Sequence, residues 1–212
     1  TGEIRTDFSY ASGSGIYDLL EWEYSPELIR NSGLDPALFP PVVPSTEILG
    51  TLTKQAAESL GLPTSVKVAC GGVDNSCMAL GAGNIASGRV YLSLGSSAWI
   101  AVSADTPVLD VRHKPFVFTH VIPGMFTSAV SIFSAGSSFK WIKDQVFPDL
   151  DLEAEQTDQN VYDLLTKLAA ESPVGANRLL FNPSLAGGSS QEPNARIRGA
   201  LSGLDLGHTR AD

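Results

Sequence analysis

The run Val66–Gly83 (VKVACGGVDNSCMALGAG) constrains the fold more than any other stretch of the chain. Its first five residues are short, apolar and β-prone, and read as a strand. The double glycine Gly71–Gly72 lets the backbone turn sharply without side chains. Small residues then follow at helical spacing, and Asn75–Leu80 reads as a helix. Strand, tight glycine turn and helix in that order define an α/β unit. Asp74 falls at the helix start, at the mouth of a cleft with glycine backbone on one side. A carboxylate so placed can accept a proton from a bound hydroxyl. Asp is equally a favoured helix N-cap, and on spacing alone both readings stand.

Further elements follow from turn and cap signals. Gly and Ser at Ser12–Gly15 form a turn cluster. Ser25–Pro26 starts a helix, a capping hydroxyl followed by proline at the first helical position, and Gly33 ends it. Residues 35–46 are proline-rich and irregular. Residues 47–52 read as a strand, and Lys54–Leu60 as a helix stopped by Gly61. Gly88–Leu94 and Ala98–Val102 form a hairpin turning at Gly95–Ser97. Phe116–Ile122 and Phe126–Phe133 form a second around Pro123–Gly124. Ser137–Val146 and Asp158–Glu171 are amphipathic helices, and Leu179–Phe181 and residues 199–204 are strands flanking a Gly/Ser/Pro loop. A boundary is expected near Ser87, between a helix-rich and a hairpin-rich half.

Composition excludes several classes. Charged residues make up 17% and the formal net charge is −9, with Lys and Arg scattered. A nucleic-acid surface needs a basic stripe, so none is expected. A phosphate ligand is not excluded, because backbone amides and a metal can supply the positive field. Two cysteines, Cys70 and Cys77, are too few for a disulfide framework, which suits a reducing compartment. No apolar run approaches the roughly 18 residues of a membrane span, and no signal pattern opens the chain. A cytoplasmic location is the expectation. The chain begins at Thr1 and stops at Asp212 with no helix completed, so both ends read as cut.

Other motifs are weaker. In Leu92–Trp99 (LSLGSSAW) a strand, a Gly-Ser-Ser turn and a returning strand bring backbone N–H groups and hydroxyls together. Such a nest can hold a terminal phosphate, or be a plain hairpin turn. Gly81–Ala86 (GAGNIA) mimics a dinucleotide fingerprint but follows a helix rather than a strand. No P-loop or G-x-S-x-G elbow occurs. His113, His120 and His208 lack metal-ligand spacing, and no metal site is expected.

Taken in order, these stretches resemble the middle of the FGGY family of carbohydrate kinases, above all its xylulokinase branch. Thr1–Gly15 (TGEIRTDFSYASGSG) is similar to T-G-x-x-x-T-D-x-S-x-A-S-G-T. Pro44–Gly50 (PSTEILG) resembles P-S-x-E-x-x-G, and Gly71–Asn75 (GGVDN) resembles G-G-x-D-N. Ser93–Ser97 (SLGSS) resembles the S-L-G-T-S phosphate turn, with serine for threonine. Ala135–Trp141 (AGSSFKW) looks like the family's glycine-led helix beside the nucleotide. Gly199–Leu204 (GALSGL) with Asp212 fits the start of its second signature. Where many members read G-E-R-x-P, this chain has Gly187–Pro193 (GGSSQEP).

The resemblance implies an α/β fold of the actin-like, ribonuclease-H-like kind, with ATP and a sugar bound between two domains. Residues 1–86 would end the first domain and 87–212 begin the second. Asp74 would be the general base, with Asn75 and Trp99 on the sugar. Gly95 and Ser96 would lie at the terminal phosphates, and Gly136 and Lys140 on the nucleotide side. The implied activity is ATP- and Mg²⁺-dependent phosphorylation of a ketopentose or related polyol. The resemblance is compatible with a homodimer and involves neither nucleic acid nor membrane. The family's first phosphate hairpin would precede Thr1 and its adenosine loop follow Asp212, so this piece alone is expected to be inactive. A non-catalytic sugar or nucleotide sensor on the same fold is the alternative.

Overall fold

The computed structural model describes residues 1–188, 191–192, 194 and 196–212. Ser189, Ser190 and Pro193, in the stretch where the chain departs from the family pattern, lie outside them. Two compact units result, and they do not follow chain order. One comprises Thr1–Tyr91 with Ile100–Val130, the other Leu92–Trp99 with Ser131–Asp212.

The first unit opens with β1 (Thr6–Asp7) and one helical turn, α1 (Phe8–Ala11), capped by the Asp7 side chain. A ribbon of β2 (Tyr17–Asp18) and β3 (Glu23–Tyr24) follows. Helix α2 (Pro26–Ser32) begins and ends on the expected signals: Ser25 Oγ accepts from Leu28 N–H, and Gly33 adopts φ +70°. The proline-rich segment contains a 3₁₀ turn at Pro36–Leu38 and then β4 (Val42–Val43), which pairs in parallel with β1. Strand β5 (Ile48–Thr51) runs antiparallel to β6 (Lys67–Ala69), and α3 (Lys54–Leu60) connects them. Helix α4 (Asp74–Gly81) starts one residue before expectation.

Both expected hairpins form, and they merge into one sheet. Strands β7 (Arg89–Leu94), β8 (Ala98–Ala104), β9 (Phe116–Thr119) and β10 (Phe126–Ile132) lie in the order β7-β8-β10-β9. The core here is small-residue and polar: Ala79, Ala101, Ser76, Ser103 and Thr119 have no exposed surface. Hydroxyls satisfy buried carbonyls. Ser76 Oγ–H donates to Thr119 C=O at 2.9 Å, which pins α4 to β9. Ser103 Oγ–H donates to Asn84 C=O at 2.9 Å.

In the second unit α5 (Gly136–Val146) lies where expected, but α6 (Pro148–Thr157) was not foreseen. Its residues carry many acids and no apolar stripe, and among them only Ala154 is buried. The start signal was nonetheless present, as proline at the first helical position. Because α6 ends at Asp158 in a left-handed turn, the helix expected from Asp158 is shorter. It is α7 (Val161–Ala169), capped by Asn160. Lys143, nearly buried on α5, pairs with Asp144 at 2.6 Å and with Asp151 of α6 at 2.8 Å. Strands β11 (Leu180–Asn182) and β12 (Ala200–Ser202) pair antiparallel.

His120, 1% exposed, gives the first unit a pH dependence. Its Nδ1 accepts from Ile122 N–H at 2.9 Å. Burial pushes the imidazole below its ordinary value. The unfolded chain therefore takes up a proton as pH falls through about 6.5, while the native ring resists. Stability contributed by His120 is present above that pH and declines below it, by at most about 1.4 kcal/mol per pH unit. Urea midpoints of the whole protein should fall between pH 7.5 and 5.5, and less steeply in His120→Gln.

Candidate active site

The site in the first unit is built on a buried carboxylate. Asp7, 2% exposed, accepts Ser9 N–H at 3.0 Å, Ser9 Oγ–H at 2.5 Å and Ser45 Oγ–H at 2.6 Å on Oδ2. Its Oδ1 accepts Tyr10 N–H at 2.9 Å. A buried carboxylate is tolerable only with such partners. Arg5, two residues away, pairs with Glu3 at 3.0 Å instead. Burial first, and then the charge of Asp7, push the Cys70 thiol up.

This hub reaches the glycine turn. Ser9 Oγ accepts Val73 N–H at 2.9 Å, and Ser45 C=O accepts Gly71 N–H at 3.0 Å. A β-carbon on Gly72 would stand 2.4 Å from Val121 Cγ1, 3.0 Å from Ser9 Oγ and 3.2 Å from Asp7 Oδ2. The second glycine is thus required by close packing, and the first by its φ of +78°.

Asp74 emerges from this turn as the first residue of α4. The N-cap is Val73, without a side-chain cap bond, so the capping reading of Asp74 is not realised. The side chain is exposed, and its Oδ1 accepts Asn75 N–H at 2.7 Å. Asp74 lines a cavity of about 610 Å³ with Tyr10, Ala11, Gly13, Ser14, Gly72 and Val73. Asn75 is half-buried, and its carbonyl accepts Tyr91 Oη–H at 3.2 Å. Tyr10, Ser14 and Asp7 were not singled out from sequence, although all three stand in the Thr1–Gly15 stretch.

The second unit brings Gly95, Ser96 and Gly136 together. Gly95 C=O accepts Gly136 N–H at 3.0 Å, and Ser96 C=O accepts the N–H groups of Ala135 at 2.9 Å and Ser137 at 3.1 Å. Ser137 Oγ–H also donates to Ser96 C=O at 2.9 Å. A β-carbon on Gly136 would lie 2.4 Å from the Gly95 oxygen, so only glycine allows this closure. Ser96 and Ser97 stay exposed, and the open side of Gly95 meets nothing closer than Ser97 C=O at 3.8 Å. Hydroxyl donors on an uncovered turn suit phosphate oxygens. Lys140 stands one turn further along α5, exposed, with Nζ 2.5 Å from Asp144. Trp99 lies half-buried on β8. Among the described residues no group of three His, Cys, Asp or Glu side chains is arranged to hold a metal ion.

The fold is that of the actin-like, ribonuclease-H-like α/β kinases. A solved structure, that of xylulose kinase from Rhodospirillum rubrum, matches all of this chain with a TM-score of 0.85 and 31% identity, over 41% of its own length. The chain belongs to the FGGY family of carbohydrate kinases: the model of the family's N-terminal domain matches residues 1–81, and that of its C-terminal domain residues 90–212. It is 32% identical to the xylulose kinase of Bacillus subtilis over 210 residues, covering 99% of this chain and 40% of that protein. It is 31% identical to the autoinducer-2 kinase of Yersinia pestis over 177 residues, covering 83% of this chain and 33% of that protein. The chain thus spans about 40% of the length of the xylulose kinases it matches. Among the described residues no helix is long and apolar enough to cross a membrane.

The glycine turn yields a stability prediction. In the whole protein Gly72→Ala should cost about 1–3 kcal/mol, because Val121 and the hub must shift. Gly81→Ala meets no neighbour within 4 Å and should change stability by less than about 0.5 kcal/mol. Paired thermal melts check the contrast.

Proposed function

We propose that the whole protein transfers the γ-phosphoryl group of ATP to a hydroxyl of a small sugar, a ketopentose such as xylulose or a related polyol. One observation carries the reading: Asp74, an exposed carboxylate fixed by a glycine turn on the wall of an open cavity. Membership of the FGGY family and the names of the relatives support it. In this reading residues 1–86 end the first FGGY domain and 87–212 begin the second.

The chemistry follows from what each group does. A sugar hydroxyl is a poor nucleophile at neutral pH. Asp74 Oδ1 is engaged by Asn75 N–H, and no described residue donates to Oδ2. Oδ2 takes the hydroxyl proton as the sugar oxygen bonds to the γ-phosphorus. The bond from that phosphorus to the bridging oxygen breaks, and ADP leaves with the electron pair. Asn75 and Trp99 contact the sugar, Gly95 and Ser96 the terminal phosphates, and Gly136 and Lys140 the nucleotide side. Mg²⁺ accompanies ATP and neutralises charge on it when bound; no residue of this chain is assigned to the ion. The reading places the enzyme in the cytoplasm and is compatible with a homodimer.

General-base assistance is worth about 10²–10⁴-fold. Transfer from γ-labelled ATP across a sugar panel should fall by that factor in Asp74→Asn of the whole protein, and undiminished transfer would refute the base. The 212-residue piece should show no sugar phosphorylation. Asp74-dependent turnover by the piece alone would contradict its proposed inactivity.

A further inference from the structure

We infer that Asp7 is a positioning residue for Asp74, acting through the Ser9 hydroxyl and the Val73 amide. The inference rests on the proposed role of Asp74 and adds a buried group that holds it in place.

The geometry fixes the direction of each bond. Ser9 has one hydroxyl proton, and it goes to Asp7 Oδ2 at 2.5 Å. The Ser9 oxygen is left to accept, and it takes Val73 N–H at 2.9 Å. Val73 is the N-cap of α4 and has no side-chain cap of its own, so this bond anchors the start of that helix. Asp74 is the next residue. A second link runs in parallel. Ser45 Oγ–H donates to the same Asp7 oxygen at 2.6 Å, and its carbonyl holds Gly71 N–H at 3.0 Å. Asp7 Oδ1 holds Tyr10 N–H at 2.9 Å, and Tyr10 lines the cavity beside Asp74. One carboxylate therefore ties together the two chain segments that flank the reacting space.

Burial makes the arrangement rigid. Ser9 has no exposed surface and Asp7 only 2%, so water does not replace a lost partner. Gly72 keeps the approach open, since a β-carbon there would strike Val121 and crowd Ser9 Oγ and Asp7 Oδ2. A displacement of Asp74 by about 1 Å is enough to cost about 10²-fold in rate.

Whole-protein variants Ser9→Ala, Asp74→Asn and the double variant test this, with Ser103→Ala as a matched loss of a buried hydroxyl bond elsewhere in the unit. Ser9→Ala should lower kcat about 10- to 100-fold while the KM for ATP changes less than about 2-fold. The double variant should be no slower than Asp74→Asn, because a group acting through Asp74 has nothing left to act on. Ser103→Ala should lower Tm with kcat within about 2-fold. Exchange of the Val73 amide should quicken at least about tenfold in Ser9→Ala. Additive losses in the double variant, or an unchanged kcat in Ser9→Ala, would overturn the positioning role. Should Asp74→Asn alone leave transfer intact, the proposed function fails, and amide exchange then decides the relay by itself. Quickened exchange upholds the anchoring of Val73, and unchanged exchange overturns it.

Discussion

A single carboxylate with four donors organises the first unit. Asp7 draws Ser9, Tyr10 and Ser45 around itself, and Ser9 and Ser45 in turn grip the glycine turn. A net gain of about 1.5–3 kcal/mol is usual for a hydrogen bond to a charged group. Its loss in a buried place costs more, because the charge stays behind without solvent. The close approach at Gly72 and the anchored start of α4 both rest on this hub. The acid that faces the cavity is oriented by an acid that does not.

The second unit solves a similar problem with backbone alone. The Gly-Ser-Ser turn places two carbonyls against the first N–H groups of α5, groups that no side chain caps. A helix N-terminus satisfied in this way needs a turn that approaches within contact distance, and Gly136 permits it. The hydroxyls of Ser96 and Ser97 are then left on the outer side of a fixed loop.

Much of this was legible in the sequence. Caps and glycine stops announced α2 and α3, and strand-turn-strand patterning announced β7 to β10, because these signals are local. Each motif stretch was also visible, but as a separate signature. That Asp7, Ser45 and Val73 meet was not, since Asp7–Ser45 and Ser9–Val73 span 38 and 64 residues and follow no period. The pairing of Lys140 with Asp144 was open to reading from its i,i+4 spacing. Helix α6 escaped because periodicity detects buried faces, and α6 buries little. The order β7-β8-β10-β9 joins two hairpins through a pairing that neither hairpin's own pattern encodes.

In the proposed function Asp74 is the group that meets the acceptor hydroxyl. The most direct measurement is a crystal structure of the whole protein with a bound ketopentose and a non-hydrolysable ATP analogue. It should place one sugar hydroxyl within about 3.2 Å of an Asp74 carboxylate oxygen, in the cavity lined by Tyr10 and Gly72. A sugar bound with every hydroxyl beyond reach of Asp74 would contradict it.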